Sequence, residues 1–317
     1  MSKLNVKIAR KAVEAEGIVS IDFTCVRGMV LPPFSAGSHV DVHLPGGLVR
    51  QYSLCNDPSE QHRYQIAVLR EPLSRGGSAA MHALREGDTL QISMPRNHFA
   101  LVPARYIFLL AGGIGVTPLL CMAERLTHLQ ADFALHYCTR SPERTAFRDR
   151  IAASTFASRT HFHHDSDPLE WRLDVAATLG HARADVHVYI CGPSGFIEYA
   201  LTTARARGWP AAQLHVEYFA GAVASADSVA GFEVKAARSG KSFTVPAGKS
   251  VAEVLIANGI DVQLSCQQGV CGTCILRVLE GEPDHRDLIL SDEEKAANDQ
   301  FTPCCSRSLG RLLVLDI

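Results

Sequence analysis

The sequence lacks a strong charge imbalance and an export signal. The 317 residues include 31 Lys and Arg against 33 Asp and Glu, so the net charge is only −2. Nucleic acids and anionic membrane surfaces select strongly basic proteins, so neither is indicated as a partner. The first 17 residues carry charges throughout and contain no apolar stretch of the kind found in secretory signals. We therefore expect a cytoplasmic protein.

Long hydrophobic runs are also scarce. One uncharged run of 18 residues, 106–123, is almost long enough to span a bilayer. Gly112, Gly113, Gly115 and Pro118 interrupt its middle, which favours a strand, a glycine turn and the start of a helix. The sequence also shows no internal repeat and no low-complexity tract.

Cysteine, by contrast, is abundant, with ten residues in the chain. A disulfide framework is typical of short secreted proteins, and this chain has neither property. Metal binding or redox chemistry is the favoured use, and the spacing of the cysteines has to decide between them.

The chain divides by pattern into three parts. Residues 1–103 contain short, partly alternating strands separated by turn signals, which predicts a small antiparallel barrel. In residues 104–220 buried strands alternate with helices, as in a parallel α/β domain. Residues 221–231 are small and polar and are predicted to be a linker. Residues 232–317 form a third unit, in which two capping boxes mark short helices.

The most specific motif is Cys266-x4-Cys271-x2-Cys274, with a further cysteine, Cys304, after 29 intervening residues. Its first three members have the spacing of plant-type [2Fe–2S] ferredoxins. Structural zinc is the alternative, but zinc sites usually show two C-x2-C-like pairs and this chain has one. Counting alone does not decide between Cys304 and Cys305 as the fourth ligand. Such a cluster carries one electron and cannot accept hydride.

Two turns suit a dinucleotide. Residues 111–118, AGGIGVTP, follow a buried strand and open a helix, where glycines let backbone N–H groups approach a pyrophosphate. The motif departs from G-x-G-x-x-G, so a structural turn without a ligand stays open. Cys191-Gly192-Pro193 ends a second strand, and ligands of α/β sheets lie at such ends. Thr139 and Arg140 end a third strand, although Arg140 is equally a candidate surface charge.

A flavin site is indicated in the first part. Arg50 is suited to a phosphate, Tyr52 to packing beside an isoalloxazine ring, and Ser53 to hydrogen bonding at its polar edge. The Gly76-Gly77-Ser78 segment offers backbone donors for a phosphate. Each feature alone is unspecific. A two-electron nicotinamide and a one-electron cluster nevertheless require a converter between them, and a flavin is the usual one.

Together these motifs resemble the phthalate dioxygenase reductase family of the ferredoxin–NADP reductase superfamily, and especially the reductase components of vanillate demethylases. The segments that carry the resemblance span the chain: RQYSLCNDP (50–58), GGS (76–78), PRNHF (95–99), AGGIGVTP (111–118), YICGP (189–193), HVEYF (215–219), CQQGVCGTC (266–274) and PCCSR (303–307). The resemblance implies a multidomain α/β and β protein. Its parts would be an antiparallel Greek-key flavin barrel, a parallel α/β nucleotide-binding domain and a C-terminal β-grasp plant-type ferredoxin domain.

The resemblance also implies which residues bind each cofactor. It assigns FMN to Arg50, Gln51, Tyr52, Ser53, Ala67, Val68, Leu69, Gly76, Gly77, Ser78, Thr117 and Phe219. It assigns NADH to Gly112, Gly113, Ile114, Gly115, Thr139, Arg140, Cys191, Gly192 and Pro193. It assigns the [2Fe–2S] cluster to Cys266, Cys271, Cys274 and Cys304, which leaves Cys305 as a buried thiol. The catalytic positions would be Ser53, Thr117 and Cys191.

The implied function is an NADH-dependent reductase that passes single electrons to a separate oxygenase or demethylase component. The sequence contains no Rieske pattern, haem attachment motif or obvious iron triad of its own, so no substrate-oxidising site is indicated. A reductase for a cytochrome P450 is the alternative, and a redox-sensing binding protein is a rival of another class. The choice of NADH over NADPH depends on the resemblance and on the lack of a clear basic cluster after Cys138.

Overall fold

The structure, a computed structural model, describes residues 3–72, 76–219 and 231–317. It divides the chain into two compact units, Met1–Phe219 and Ala220–Ile317. The predicted linker, 221–231, lies outside the described residues except for its last position. Within the described ranges, no helix is long and apolar enough to cross a bilayer.

The first unit begins with an antiparallel barrel. Its strands are β1 (Lys3–Ala15), β2 (Ile18–Cys25), β3 (Ser38–His43), β4 (Val49–Ser53), β5 (Tyr64–Leu69), β6 (Thr89–Ser93) and β7 (Arg96–Asn97). They are hydrogen-bonded in the order β4-β3-β6-β1-β2-β5, with β7 beside β3, and β4 packs against β5. Alternate residues face inward, so Ile8, Phe23, Val40 and Ile66 fill the interior. A short helix, α1 (Gly77–Ala83), follows β5.

A five-stranded parallel sheet completes the first unit. Its strands are β8 (Tyr106–Gly112), β9 (Asp132–Thr139), β10 (Thr160–His164), β11 (Val186–Gly192) and β12 (Leu214–Tyr218), in the order β10-β9-β8-β11-β12. The helices are α2 (Val116–His128), α3 (Arg148–Ala152), α4 (Val175–Leu179) and α5 (Ser194–Ala206). Helix α2 covers one face of the sheet, whereas α4 and α5 cover the other. The carboxyl ends of the strands therefore share one edge.

The barrel and the parallel sheet pack into a common core. Ile18, Cys55 and Ala67 of the barrel segment belong to the same buried cluster as the residues of α2. The hydroxyl of Tyr189 on β11 accepts a hydrogen bond from the Val102 N–H at 2.8 Å and donates one to a backbone carbonyl at 3.0 Å. Because of this shared core, residues from both sheets hold defined positions relative to one another.

The second unit is a mixed sheet crossed by a helix. Its strands are β13 (Phe232–Ala236), β14 (Ser242–Val245), β15 (Leu276–Glu280), β16 (Pro283–Asp284), β17 (Gln300–Phe301), β18 (Arg307–Ser308) and β19 (Leu312–Leu315). Strand β13 runs parallel to β19, and the order of the main sheet is β14-β13-β19-β15-β17. Val251 and Leu255 of α6 (Val251–Ala257) pack onto this sheet, as in a β-grasp domain.

Both predicted capping boxes are confirmed in the second unit. The Ser250 hydroxyl accepts from the Glu253 N–H at the start of α6, and Ser291 does the same for Glu294 at the start of α7 (Asp292–Ala297). Each Glu side chain accepts in turn from the N–H of its serine. Two otherwise unsatisfied donors are paired at each helix start, which typically stabilises a short helix by about 1 kcal/mol.

Candidate functional site

The barrel and the parallel sheet meet at Ser53 and Glu217. Ser53 ends β4 and is buried, and its hydroxyl donates to Glu217 Oε2 at 3.0 Å. Glu217 lies on β12 directly beside Cys191 of β11. Desolvation raises the pKa of the half-buried Glu217 carboxyl to about 7, although the Ser53 hydrogen bond opposes that rise. Burial and the nearby Glu217 charge both raise the pKa of Cys191, so it is a neutral thiol.

The two glycine turns touch each other at the carboxyl edge of the parallel sheet. A Cβ on Gly115 would lie 2.2 Å from the Cys191 carbonyl oxygen, and one on Gly192 would lie 2.9 Å from Gly112 Cα. Gly113 adopts φ = 53°, a conformation that side chains rarely allow. Glycine is therefore needed here for the close approach of two backbone turns, whether or not a dinucleotide binds.

The predicted phosphate residues of the barrel also come together. The Arg50 side chain lies across Gly77, where a Cβ would be 2.6 Å from Arg50 Nε. Gly76 precedes α1 with φ = 87°, and the Ser78 hydroxyl accepts from the Glu71 N–H at 3.1 Å. Arg50 and the Gly76–Ser78 segment thus form one cradle of donors, of the kind that suits a phosphate.

The flavin candidates on β5 point to opposite faces of that strand, and the two others, Tyr52 and Phe219, lie elsewhere in the first unit. Ala67 and Leu69 point toward the core shared with the parallel sheet, whereas Val68 points into the barrel and its carbonyl oxygen is 3.0 Å from His82 Nε2. Tyr52 is half-buried, and desolvation raises the pKa of its hydroxyl. Phe219 packs against the shared core.

Thr117 and Thr139 are occupied by bonds within the protein. The Thr117 hydroxyl donates to the Ile114 carbonyl at 3.1 Å, which closes the first glycine turn. The Thr139 hydroxyl lies 2.7 Å from that of Thr145 and donates to the Ser141 carbonyl at 3.2 Å. Arg140 is exposed at the end of β9. Both threonines thus stabilise the turns at the carboxyl edge of the sheet through hydrogen bonds to backbone carbonyls.

Four of the five cysteines of the second unit lie in two pairs, and the fifth, Cys305, also contacts Cys304. Cys266 and Cys271 contact each other through their thiols, and so do Cys274 and Cys304. Among the described residues, no three His, Cys, Asp or Glu side chains converge as one bound ion requires. A tetrahedral zinc site needs four ligands on one ion, whereas a [2Fe–2S] cluster takes two thiolates on each of two irons. The pairing therefore fits a two-iron cluster.

Backbone donors surround these sulfurs. The Gln268 N–H donates to Cys266 Sγ at 3.3 Å, the Thr273 N–H donates to the Cys271 sulfur, and the Gly269 N–H donates to the Cys304 sulfur. Gly269 and Gly272 have φ values of 71° and 69°, which turns the loop so that its N–H groups face inward. Such hydrogen bonds stabilise thiolates and tune the potential of a bound cluster.

Cys305 differs from Cys304 in its contacts. Its sulfur lies 3.4 Å from Thr302 Oγ1 and 3.8 Å from Ser306 Oγ, and it also contacts Cys304. Cys305 is half-buried, so the prediction of a buried thiol is wrong. All ten cysteines are described, and none forms a disulfide.

Two residues at these sites were missed by sequence reasoning. Glu217 lies within the HVEYF segment, but its contact with Ser53 spans 164 positions. Asp287 lies behind the cysteine loop, where its carboxylate accepts from the Leu290 N–H at 2.9 Å and from two hydroxyls at 3.3 Å. The signal available for Glu217 was a single acidic residue inside the HVEYF segment, most of which forms β12.

Comparisons with known proteins agree with this geometry. A 2Fe-2S iron-sulfur cluster binding domain matches residues 234–309, and an oxidoreductase NAD-binding domain matches 109–202. The chain is 50% identical to a vanillate O-demethylase oxidoreductase of Pseudomonas sp. (strain HR199 / DSM 7063) over 99% of this chain and 100% of the relative.

Two solved structures are similar along the whole chain. One is a phthalate dioxygenase reductase, described as a modular structure for electron transfer from pyridine nucleotides to [2Fe–2S]. It has a TM-score of 0.82 and 39% identity, covering 100% of this chain and 98% of that one. The other is an intact type IV self-sufficient cytochrome P450 monooxygenase, with a TM-score of 0.83 and 37% identity over 99% of this chain and 41% of that one.

The fold and the paired cysteines define an iron–sulfur flavoprotein oxidoreductase, with a nicotinamide-nucleotide domain and a ferredoxin domain in one polypeptide. Within that class, the chain belongs to the phthalate dioxygenase reductase family.

Proposed function

We propose that this chain is the reductase component of a multicomponent, Rieske-type oxygenase or demethylase, and that it delivers electrons from NADH to the separate oxygenase. The observation that carries the proposal is that one chain contains three features. These are two glycine turns in contact at the carboxyl edge of the parallel sheet, the Arg50 side chain packed over the Gly76–Ser78 segment, and two pairs of thiols in the second unit. The full-length similarity to reductases of such systems supports it. When bound, FMN supplies the exchange between an electron pair and single electrons, and the [2Fe–2S] cluster carries one electron at a time.

In the barrel, Arg50 would pair with the FMN phosphate, and the backbone of Gly76 and Gly77 would add donors. The overlap of Arg50 with Gly77 supports this, because a side chain at Gly77 would displace the guanidinium. Tyr52 and Phe219 would flank the ring, and Ser53 would hydrogen-bond its polar edge. These residues bind and orient, and they exclude water from the reacting face.

At the edge of the parallel sheet, the Gly113–Gly115 and Gly192–Pro193 turns would hold the pyrophosphate of NADH. Their mutual contact supports one continuous backbone surface for a dinucleotide. The neutral Cys191 thiol and the Glu217 carboxyl would lie beside the nicotinamide. Because its pKa is about 7, the Glu217 carboxyl can both bind and release a proton near neutral pH.

In the second unit, Cys266 and Cys271 would bind one iron, and Cys274 and Cys304 the other. The observed thiol pairs support this division, and the backbone N–H groups of the loop would stabilise the sulfurs of Cys266, Cys271 and Cys304 as thiolates. Cys305 would stay outside the cluster.

Anaerobic mixing of the purified, cofactor-replete protein with NADH tests the reductase activity. We expect rapid loss of flavin absorbance, followed by reduction of cytochrome c or ferricyanide in the steady state. Parallel measurements with NADPH should give a lower kcat/KM. A stable flavin spectrum in the presence of excess NADH would rule out the proposal and would favour a redox-sensing protein instead.

A cytochrome P450 is the second candidate acceptor, because the reductase portion of a self-sufficient P450 covers nearly all of this chain at 37% identity. Supplying the protein separately with a demethylase-type oxygenase and with a stand-alone P450 separates the two. We expect NADH-driven turnover with the oxygenase and little with the P450. The reverse ranking would transfer the proposal to the P450.

A further inference from the structure

A buried carboxylate links the two segments of the second unit that carry the proposed cluster ligands. Asp287, between β16 and α7, is only 2% exposed. The Leu290 N–H donates to its Oδ2 at 2.9 Å, and the hydroxyls of Thr302 and Ser306 each donate to its Oδ1 at 3.3 Å. Acidic side chains are seldom fully buried, so this one calls for an explanation.

The two hydroxyls flank the proposed fourth ligand. Cys304 lies midway between Thr302 and Ser306 in the chain, and both of these residues are buried. The Ser306 N–H donates to the Thr302 carbonyl at 3.0 Å, which closes this segment into a turn. The Asp287 carboxylate therefore bonds to both ends of the turn that presents the Cys304 sulfur.

Asp287 also adjoins the loop that carries the other three ligands. The N–H of Leu288, the next residue, donates to the Gly269 carbonyl at 2.9 Å, and a Cβ on Gly269 would lie 3.0 Å from Asp287 Cα. The Gly269 N–H donates in turn to the Cys304 sulfur. Asp287 thus fixes the cysteine loop and the Cys304 turn relative to one another.

The charge of this carboxylate is only partly balanced. Its three hydrogen bonds come from uncharged donors, and no Lys or Arg in the described part of the chain forms an ion pair with it. The Lys295 ammonium donates instead to the backbone carbonyl of Asp287, at 2.9 Å. His285 Nδ1 is 3.6 Å from Oδ1 and makes no hydrogen bond to it. A net negative charge is therefore left beside the Cys304 turn.

We propose that Asp287 holds the Cys304 turn against the cysteine loop and that its buried charge lowers the reduction potential of the bound cluster. This inference rests on the proposed function, in which Cys304 binds the second iron. Asp287 acts through Cys304 and the cysteine loop, so it is a positioning residue and not a catalytic one.

Electrostatics gives the direction of the effect on the potential. Reduction adds one negative charge to the cluster, and a fixed negative charge nearby opposes that addition. The opposition is strong for a buried group, because the protein interior screens charge less than water does. A lower potential makes the reduced cluster a stronger electron donor to the oxygenase.

The first test is the midpoint potential of the cluster. Asp287→Asn keeps the size of the side chain, and the two hydroxyls can rotate to accept from its amide while its oxygen accepts from the Leu290 N–H. A mediated titration of the holoenzyme with dithionite, followed by EPR, measures the potential. We expect a rise of about 59 mV, which is a change of about tenfold in the one-electron equilibrium.

The matched control is Glu293→Gln, which makes the same exchange of carboxylate for amide at an exposed position of α7. Water and salt screen an exposed charge, so this variant should keep the potential of the wild type.

The second test is the retention of iron. Asp287→Ala removes the acceptor that joins the two segments, and we expect a chelator to extract iron from the oxidised holoenzyme about tenfold faster than from the wild type. Ser306→Ala removes one donor only, so it tests the same link even if Asp287→Ala fails to fold. It should accelerate the release of iron in the same direction but to a smaller extent.

The proposal requires both results. It is overturned by an unchanged potential in Asp287→Asn, or by an equal shift in Glu293→Gln. Release of iron at the wild-type rate from Asp287→Ala, or from Ser306→Ala where the former does not fold, would overturn it as well. The titration and the chelator assay use no NADH. Failure of NADH to bleach the flavin of the wild type would therefore overturn the proposed function separately.

Discussion

The Ser53 hydroxyl donates a hydrogen bond to Glu217 Oε2 at 3.0 Å and so joins the last residue of β4 to β12 across 164 positions of the chain. The carboxyl is half-buried, and desolvation raises its pKa from 4.5 to about 7. An acid with a pKa near neutrality exists in both protonation states at the pH of the cell. The Ser53–Glu217 hydrogen bond therefore links β4 to β12 and involves a carboxyl group that can exchange protons near neutral pH.

The first prediction concerns stability against pH. Because the folded protein binds the Glu217 proton more tightly than the unfolded chain, this group stabilises the fold fully below pH 4.5, and the contribution is lost as pH rises through about 7. The loss is at most about 3 kcal/mol, and less because part of the side chain meets solvent. Unfolding midpoints from pH 4.5 to 8 should therefore fall less steeply in Glu217→Gln.

The control for that measurement is Glu170→Gln, which alters an exposed carboxylate in the same unit. It should keep the slope of the wild type. Equal slopes in all three proteins would contradict a raised pKa at Glu217.

The second prediction concerns the contact between the two glycine turns. In Gly115→Ala the new Cβ would lie 2.2–2.6 Å from three backbone atoms of Cys191 and Gly192, so the turns must separate. We expect a loss of about 1–3 kcal/mol in stability and a higher KM for NADH. Calorimetry and steady-state kinetics check this. Gly195→Ala, where no atom lies within 4 Å of the new Cβ, should change neither quantity.

Local sequence patterns predicted the parallel sheet well. The sequence predicts strands at 106–111, 134–138 and 186–191 and helices at 118–129 and 195–207, and the bounds of β8, β9, β11, α2 and α5 agree with these ranges to within two residues. Glycine often ends a helix in the left-handed conformation, so the sequence also predicts that Gly208 stops the last helix, and Gly208 indeed has φ = 84° just after the end of α5. Strand β10 was missed because its sequence, THFHH, contains three polar imidazoles and no apolar alternation. Hydrogen bonding to β9 along one side stabilises β10 as a strand, although its local sequence does not favour one.

The residues of the candidate sites were likewise predicted only where they lie close together in the sequence. The cysteine loop was predicted because its spacing is local, from 266 to 274, and so were the glycine turns. Glu217 was not predicted, because its significance depends on a partner on another strand, Ser53, which lies 164 positions away. No local pattern in the sequence reveals that two such distant positions, on two different sheets, are in contact.

The third prediction separates the adjacent cysteines. Cys304 contacts Cys274 and receives the Gly269 N–H, whereas Cys305 contacts Thr302 and Ser306. Cys304→Ser should therefore lose the visible and low-temperature EPR signals of the cluster and the reduction of cytochrome c, while NADH still bleaches the flavin. Cys305→Ser should keep all three properties. Loss of the cluster in Cys305→Ser alone would reverse the assignment of the fourth ligand.

The fourth prediction concerns the turn of the cysteine loop at Gly269. A Cβ there would lie 2.4 Å from Cys305 Sγ and 3.0 Å from Asp287 Cα, and the residue has φ = 71°. Gly269→Ala should therefore combine backbone strain of about 1–2 kcal/mol with a steric clash, and the purified protein should contain substantially less iron per chain than the wild type.

Two further variants separate the effect of backbone strain in Gly269→Ala from the effect of the steric clash. Gly240→Ala places a Cβ at φ = 69° in open space within the same unit, so it measures strain alone and should retain its iron. Adding Cys305→Ala to Gly269→Ala removes the clashing sulfur and should recover part of the lost iron, whereas the contact with Asp287 remains. If the double variant holds no more iron than Gly269→Ala, the Cys305 sulfur is not the obstacle, and the tight approach of Gly269 to Asp287 must account for the requirement for glycine.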